Sequence, residues 1–220
     1  MTYSNEYVKV YDDVCDARYM EALRNSYNAN LNHFYADKKD WGNSNLQTVP
    51  GLRGRQVIVG KHENKNFPTG QLIDHVIRAV LDRVQFDYGW VRVDERIYMP
   101  GSEMSWHCDG LHLQGAATLY LNDWHTDWGG EFIYVKSHCD VHPNWEPYAL
   151  ETDNYASNYA IDNECGVVYP KSNRLVLVEG DVMHKINRID ERAKARYALQ
   201  FHFHYDSEMI ATEASSFLDV

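Results

Sequence analysis

The amino-acid sequence predicts a mainly β fold with flanking α-helices: a double-stranded β-helix (jelly roll) whose N-terminal helices pack on one sheet. Two observations predict this fold. Two segments with helical apolar spacing lie before residue 86, and many short apolar or alternating runs separated by turns follow it. Helices followed by a series of short strands are typical of a double-sheet β domain with helices on one side.

The length and composition indicate one globular domain. The chain has 220 residues, of which 44% are apolar and 24% charged. We expect a single domain over residues 1–220, with an N-terminal strand, helices and loop (1–85), a jelly-roll core (86–206) and a tail (207–220). The formal net charge of −11 disfavours binding to nucleic acid or to an anionic membrane. We therefore expect neither as a partner.

The cysteines and the first residues indicate the compartment. Residues 1–6 lack the basic start and apolar run of a signal peptide, and no segment approaches a membrane-spanning length. The cysteines are widely spaced and form no Cys-x-x-Cys motif, which fits reduced thiols better than disulfides or a zinc site. We expect a cytoplasmic protein. The four cysteines are Cys15, Cys108, Cys139 and Cys165.

Short periodic segments predict the first helix and two strands. Residues 7–11 alternate between apolar and polar side chains and predict a strand. Asp12 or Asp16 can cap a helix over residues 17–26, where apolar side chains recur at helical spacing. Residues 56–59 are the one good strand candidate in a long polar stretch, residues 28–70.

A second helix opens at Thr69 or Gly70. Its apolar stripe predicts packing on the outside of a sheet, so we assign it to the scaffold. The stripe consists of Leu72, Ile73, Val76, Ile77, Val80, Leu81 and Val84.

From residue 86 onward, β-like runs alternate with turns. A second long polar stretch, residues 136–165, interrupts them. Irregular stretches of this length are uncommon unless they form lids or binding walls, so we expect this stretch and residues 28–70 to shape specificity. The β-like runs are residues 88–99, 107–109, 116–121, 131–135, 174–178 and 196–205.

Four His-x-Asp triplets are candidates for a metal site. Residues two apart on a strand point to the same face, so their imidazole and carboxylate can bind one ion. Since the chain contains four such pairs, the triplet alone does not select a site. The pairs are His107/Asp109, His125/Asp127, His138/Asp140 and His204/Asp206.

An ordered set of motifs between residues 91 and 204 selects among these triplets. In order, the motifs are Tyr98-Met99-Pro100-Gly101, His107-Cys108-Asp109, Tyr120-Leu121-Asn122, Trp128-Gly129-Gly130-Glu131-Phe132, Asn173-Arg174-Leu175-Val176-Leu177-Val178, Gly180-Asp181 with His184, and Arg196-Tyr197-Ala198-Leu199. This order resembles the prolyl-4-hydroxylase-like branch of the 2-oxoglutarate/Fe(II)-dependent dioxygenases. We expect the paired glycines to permit a turn or a close strand approach rather than to bind phosphate.

The resemblance implies a metal site and its cosubstrates. Fe(II) would be held by His107, Asp109 and His184, which leave positions open for other ligands. The implied cosubstrates are 2-oxoglutarate and O2, with ascorbate as a further candidate. Tyr120 or Tyr98 would add a hydroxyl to the 2-oxoglutarate site.

The resemblance also implies a basic residue for the far carboxylate of 2-oxoglutarate. That residue often lies nine or ten positions after the distal histidine in this family, which would favour Lys194. We choose Arg196, because it begins an uninterrupted β-like run and its planar fork suits a carboxylate. On this strand Arg196, Gln200 and His202 share a face, which would line the pocket. Gln200 and His202 are therefore candidates for substrate contact.

The implied reaction is hydroxylation of an unactivated C–H bond, with release of succinate and CO2. The implied substrate is an amino acid or a peptidyl, prolyl-like group. Related halogenases replace the ligand carboxylate with a small residue, and Asp109 is retained here. The alternatives are desaturation or cyclisation of a small metabolite, and an inactive jelly-roll module that binds a partner or serves a structural role. Two further alternatives are disfavoured. Nucleobase demethylation conflicts with the acidic charge of the chain. A cupin fold would require a His-x-His pair with a downstream Glu. Nothing in the sequence predicts the oligomeric state.

Overall fold

A computed structural model describes residues 2–36, 51–60, 72–85, 87–109, 113–138 and 160–205. In these ranges the chain forms two antiparallel sheets. The larger sheet has the order β1 (Tyr3–Ser4), β2 (Val8–Tyr11), β10 (Arg174–Glu179), β7 (Leu113–Tyr120), β12 (Arg196–His204), β5 (Trp90–Tyr98), β4 (Leu52–Gly60) and β3 (Tyr35–Ala36). The smaller sheet has the order β6 (Met104–His107), β11 (Val182–Ile186), β8 (Phe132–His138) and β9 (Cys165–Val168).

The strands from β5 to β12 pass back and forth between the two sheets. β5, β7, β10 and β12 lie in the larger sheet, and β6, β8, β9 and β11 lie in the smaller one. This alternation is the jelly roll, so the predicted fold class is confirmed. The strands that precede residue 86 extend the larger sheet at both edges, because β2 pairs with β10 and β4 pairs with β5. The predicted tail, residues 207–220, lies outside the described residues.

The two helices lie close to their predicted positions. α1 (Ala17–Ala29) is three residues longer than predicted. Asp16, not Asp12, caps it, and its carboxylate accepts a hydrogen bond from the Arg18 backbone N–H at 2.8 Å. α2 (Leu72–Leu81) ends before Val84, which still packs against the same core. The residues predicted to open α2 lie outside the described ranges.

The helices cover the outer face of the larger sheet. Three side chains of β12, Leu199, Phe201 and Phe203, are fully buried there against both helices. Burial of each large apolar side chain is worth about 1.5–3 kcal/mol. The helix side chains in this core are Met20, Leu23, Tyr27, Ile73, Val76, Ile77 and Val80. The predicted outward face of the last strand is therefore confirmed, and its other face is left for the space between the sheets.

No helix in the described part of the chain is long and apolar enough to cross a membrane. The three cysteines within it, Cys15, Cys108 and Cys165, are free thiols.

Asn173 joins the N-terminal segment to the jelly roll. It has a φ angle of +62°, in the left-handed region. Its side-chain oxygen accepts a hydrogen bond from the Cys15 N–H (2.9 Å), and its amide nitrogen donates to the Cys15 carbonyl (2.7 Å). Its backbone N–H donates to the Tyr120 carbonyl at 2.9 Å. One side chain therefore closes a turn and anchors the start of α1.

We expect substitutions of Asn173 to separate these two contributions. Asn173→Gly removes the side-chain hydrogen bonds but keeps the left-handed turn, and should lower the free energy of unfolding by about 1–2 kcal/mol. Asn173→Ala also adds steric strain at positive φ and should cost about 1–2 kcal/mol more. Urea denaturation of both variants measures the difference. Equal stability of the two variants would contradict the role of the turn.

Candidate active site

Three predicted metal ligands come together between the sheets. His107 is the last residue of β6, and His184 lies directly opposite it on β11. The Nε2 atoms of His107 and His184 lie 3.8 Å and 3.9 Å from the two carboxylate oxygens of Asp109. The three ligand atoms lie within 4.8 Å of one another, so one ion could contact all of them.

The position of Asp109 corrects one expectation. The sequence predicts that His107 and Asp109 share a strand, but β6 ends at His107. Among the described residues, the ladder between β6 and β11 extends only to the pair His107 and His184. Asp109 therefore reaches the site from the segment after the strand.

Backbone carbonyls orient both imidazoles. The Nδ1 atom of His107 lies 2.8 Å from the Ser105 carbonyl, and that of His184 lies 2.9 Å from the Val182 carbonyl. A carbonyl can only accept a hydrogen bond, so Nδ1 carries the proton in each ring. The Nε2 lone pairs are then available to a metal ion, as in histidine sites tuned by an outer hydrogen bond.

Burial favours the uncharged form of His107. Burial, followed by the positive charge of His184, lowers the pKa of His107 to about 4, although Asp109 opposes the shift. The ring is therefore neutral at physiological pH, which is the form that binds a metal.

The other triplets are not comparable sites in the described residues. His125 and Asp127 are 3.6 Å apart but exposed on the surface. His138 contacts Asp181 (3.0 Å). Asp140 and Asp206 lie outside the described ranges. His138, Glu179 and Asp181 form a second group within metal-binding distance, but all three are at least partly exposed. Sequence reasoning missed this group because His138 is far in the chain from Glu179 and Asp181.

Arg196 lies at the other end of the same cavity. It is 2% exposed, and its guanidinium carbon lies 4.7 Å from the Tyr98 ring centre and 5.4 Å from that of Tyr120. One guanidinium nitrogen donates to the Gly130 carbonyl, while Nε is buried without a hydrogen-bond partner. No carboxylate of the described residues forms an ion pair with it. Lys194, the alternative residue, is exposed.

The two tyrosines differ in their hydrogen bonding. The Tyr120 hydroxyl is buried and has no hydrogen-bond partner among the described residues. The Tyr98 hydroxyl instead donates to the side-chain oxygen of Gln200 at 3.0 Å. Tyr120 is therefore the better placed of the two to contact an anion beside Arg196, and Gln200 is held against the cavity wall.

The paired glycines allow the close approach expected of them. Gly129 and Gly130 have φ angles of +67° and +72°. A Cβ atom on Gly130 would lie 2.8 Å from a guanidinium nitrogen of Arg196. The absence of a side chain at this position therefore makes room for Arg196.

His202 lies further along β12, at the edge of the described site. It is buried opposite Arg92 of β5, and its Nδ1 lies 3.9 Å from the carboxylate of Asp94. Sequence reasoning missed Arg92, Asp94 and Arg96. Their spacing was the available signal, since they alternate in phase with Tyr98 on a predicted strand and must share its face.

Comparison with known proteins identifies a family. The sequence model described as the 2OG-Fe(II) oxygenase superfamily matches residues 95–204, which is half of the chain. That range contains the three candidate ligands and Arg196. No curated protein gives a significant match.

Solved structures resemble most of the chain. A prolyl-4-hydroxylase from Pseudomonas putida matches with a TM-score of 0.61 and 14% identity, over 92% of this chain and 95% of that one. A prolyl hydroxylase in complex with a hypoxia inducible factor peptide fragment, from Trichoplax adhaerens, gives 0.60 and 12%, over 94% and 87%. HygX from Streptomyces hygroscopicus, with nickel, 2-oxoglutarate and hygromycin B bound, gives 0.54 and 16%, over 91% and 83%. At these identities the likeness shows the fold.

We expect the two candidate metal groups to behave differently. His184→Ala should abolish stoichiometric binding of Co(II), used as a spectroscopic substitute for Fe(II), because it removes one of the three candidate ligands. His138→Ala is the matched control at the exposed group and should bind like the wild type. Titration followed by visible absorption measures both. Loss of binding in His138→Ala, with binding kept in His184→Ala, would place the ion at the surface group.

Proposed function

Since this chain belongs to the 2OG-Fe(II) oxygenase superfamily, an enzyme family that uses Fe(II), 2-oxoglutarate and O2, we propose that it is an active hydroxylase. In this proposal His107, Asp109 and His184 hold the iron. The observation that carries the proposal is the meeting of these three ligands in one cavity with the buried guanidinium of Arg196.

The donor set fits ferrous iron. Two imidazoles and one carboxylate form the facial triad typical of non-haem Fe(II) oxygenases, in which the other positions stay open. Both imidazoles have their Nδ1 atoms bonded to carbonyls, which leaves Nε2 as the ligand. A catalytically inactive module would not require all of these groups together.

The other end of the cavity fits the distal carboxylate of 2-oxoglutarate. Arg196 and Tyr120 each place a buried polar atom there without a hydrogen bond. An unpaired buried cation is costly, and a carboxylate that accepts two parallel hydrogen bonds from the guanidinium would offset that cost. When bound, Fe(II) with 2-oxoglutarate and O2 would add one oxygen atom to a substrate C–H bond and yield succinate and CO2.

The remaining cavity walls orient the ligands and exclude water. The Phe132 ring stacks on His184, with the ring centres 5.2 Å apart, and restrains the imidazole. Ile186, Val176 and Val178 add apolar surface to the same cavity. A water-poor site strengthens the electrostatic contacts within it and suppresses side reactions.

Hydroxylation of an amino acid or a prolyl-like peptidyl group is the reaction we propose. Its support is the retained Asp109 carboxylate and the similarity to prolyl hydroxylases. Mass spectrometry of the product tests the reaction, since hydroxylation adds one oxygen atom. Loss of two hydrogen atoms would instead identify desaturation or cyclisation. The proposed location is cytoplasmic, a view supported by the free thiols.

We expect 2-oxoglutarate binding to distinguish Arg196 from Lys194. Arg196→Ala should raise the dissociation constant for 2-oxoglutarate roughly 10- to 150-fold, because it removes charge-assisted hydrogen bonds worth about 1.5–3 kcal/mol. Lys194→Ala, at the neighbouring exposed position, should leave it unchanged. Anaerobic titration of the Fe(II) enzyme, followed by the visible charge-transfer band of the chelate, measures both. Weaker 2-oxoglutarate binding in Lys194→Ala, with unchanged binding in Arg196→Ala, would identify Lys194 as the cosubstrate contact.

A further inference from the structure

A cluster of charged residues on the larger sheet has no part in the proposed function. At its centre is Asp94 of β5, which is completely buried. Its carboxylate lies 3.2 Å from Arg53 and 3.4 Å from both Arg92 and Arg96, and it accepts a hydrogen bond from Gln56 at 2.7 Å. Burial by itself would raise the pKa of Asp94, but the positive charges around it, the three arginines among them, outweigh burial and lower the pKa to about 2. The carboxylate is therefore ionised.

The cluster faces the space between the sheets. On the paired strands β5 and β12, Tyr98 lies opposite Arg196, Asp94 opposite Gln200, and Arg92 opposite His202. Residues opposite each other in an antiparallel pair point to the same face of the sheet. Since Tyr98, Arg196 and Gln200 line the cavity, Asp94, Arg92 and His202 lie on the same side.

Arg92 differs from the two other arginines of the cluster. The side chains of Arg53 and Arg96 are each 6% exposed, whereas that of Arg92 is 21% exposed. The buried Nε atom of Arg92 makes no hydrogen bond. The Nε atom of Arg92 lies 3.4 Å from the Asp94 carboxylate, which leaves the two terminal nitrogens of the planar guanidinium for an additional anion.

His202 supplies a second polar atom beside Arg92. Its side chain is 9% exposed, and its Nδ1 atom is buried without a hydrogen bond. Burial, followed by the positive charge of Arg92, lowers the pKa of His202 to about 3. The ring is therefore neutral at physiological pH, and whichever of its nitrogens carries the proton can donate a hydrogen bond.

These two residues lie beyond the metal ligands as seen from Arg196. His202 is six positions after Arg196 on one strand, roughly 20 Å along it. Asp109 shares the cavity with Gln200, which lies between Arg196 and His202 on β12. The small side chains of Ala116 and Thr118, opposite His202 and Gln200 on β7, leave space there. A substrate on this side would not compete with 2-oxoglutarate.

We propose that Arg92 and His202 bind a carboxylate group of the substrate, which makes the substrate a free amino acid or another small carboxylic acid. This inference rests on the proposed function. A planar guanidinium that can donate two parallel hydrogen bonds is the side chain best matched to a carboxylate. Asp94 holds Arg92 in position, and Arg53 and Arg96 offset the charge of Asp94, so the incoming anion is not repelled.

The experiment uses the full-length enzyme with Fe(II), 2-oxoglutarate and O2. Succinate formation is measured with a panel of free amino acids and small hydroxy, keto and aromatic acids, each paired with its carboxamide, and with C-terminally amidated prolyl peptides. The variants are Arg92→Gln and Arg92→Lys. Arg55→Gln is the matched control, because Arg55 forms an ion pair with Glu95 on the neighbouring strand and points to the other face of the sheet.

We expect at least one acid to stimulate succinate formation and its amide to be at least about tenfold weaker in kcat/KM. Arg92→Gln should raise the KM for that acid about tenfold or more, while the KM for 2-oxoglutarate stays unchanged. Arg92→Lys should fall between Arg92→Gln and the wild type, because it keeps the charge and loses the fork. Arg55→Gln should match the wild type.

Three results would overturn the inference while leaving the proposed function intact: amides or amidated peptides that stimulate as well as the acids, an unchanged KM for the acid in Arg92→Gln, or basal turnover that no acid in the panel stimulates. Absence of Fe(II)-dependent 2-oxoglutarate turnover in the wild type would overturn the proposed function, and this inference with it.

Discussion

The pairing of β6 with β11 is the interaction on which the site depends. It sets His107 opposite His184, although the two lie far apart in the sequence. β11 is held from both sides in the smaller sheet, by β6 and by β8. Each imidazole is also tied to a carbonyl of its own strand, two residues earlier. The direction of both Nε2 atoms therefore follows from backbone geometry. Asp109 supplies the third candidate ligand.

β12 contributes side chains both to the hydrophobic core and to the cavity. Its odd-numbered residues Leu199, Phe201 and Phe203 are buried against the helices, while Arg196 and Gln200 face the cavity. The Tyr27 hydroxyl of α1 also donates to the Ala198 carbonyl at 2.8 Å. The helices contribute no group to the site, yet they fix the strand that carries Arg196. A loss of packing on the outer face would move the guanidinium, because both faces belong to one strand.

The sequence predicted the features that depend on local pattern. The jelly roll and both helices followed from periodicity, and the three candidate ligands that meet in the cavity followed from the ordered motifs. Three features depend on pairings between distant strands and were not predicted. Asp109 lies after β6 because the ladder ends at His107. His138 contacts Asp181, which is distant in the sequence. The Asp94 carboxylate contacts arginines from two strands. Local propensity carries no information on which distant strands pair, so these features require the register.

Two buried charges of the larger sheet are compensated in different ways. Asp94 has arginines against its carboxylate and a hydrogen bond from Gln56, so the protein itself meets the cost of burying it. Arg196 is equally buried, but no carboxylate of the described residues pairs with it, and two tyrosine rings and one carbonyl offset only part of its desolvation. A charge that is satisfied internally contributes to architecture. A charge left unsatisfied in a cavity lowers stability until an anion binds, so the same free energy becomes available for binding. Arg92 lies between these cases, since Asp94 holds its Nε atom while its side chain is 21% exposed. The distribution of partners, more than the number of charges, separates the scaffold of this site from the groups that we propose to bind ligands.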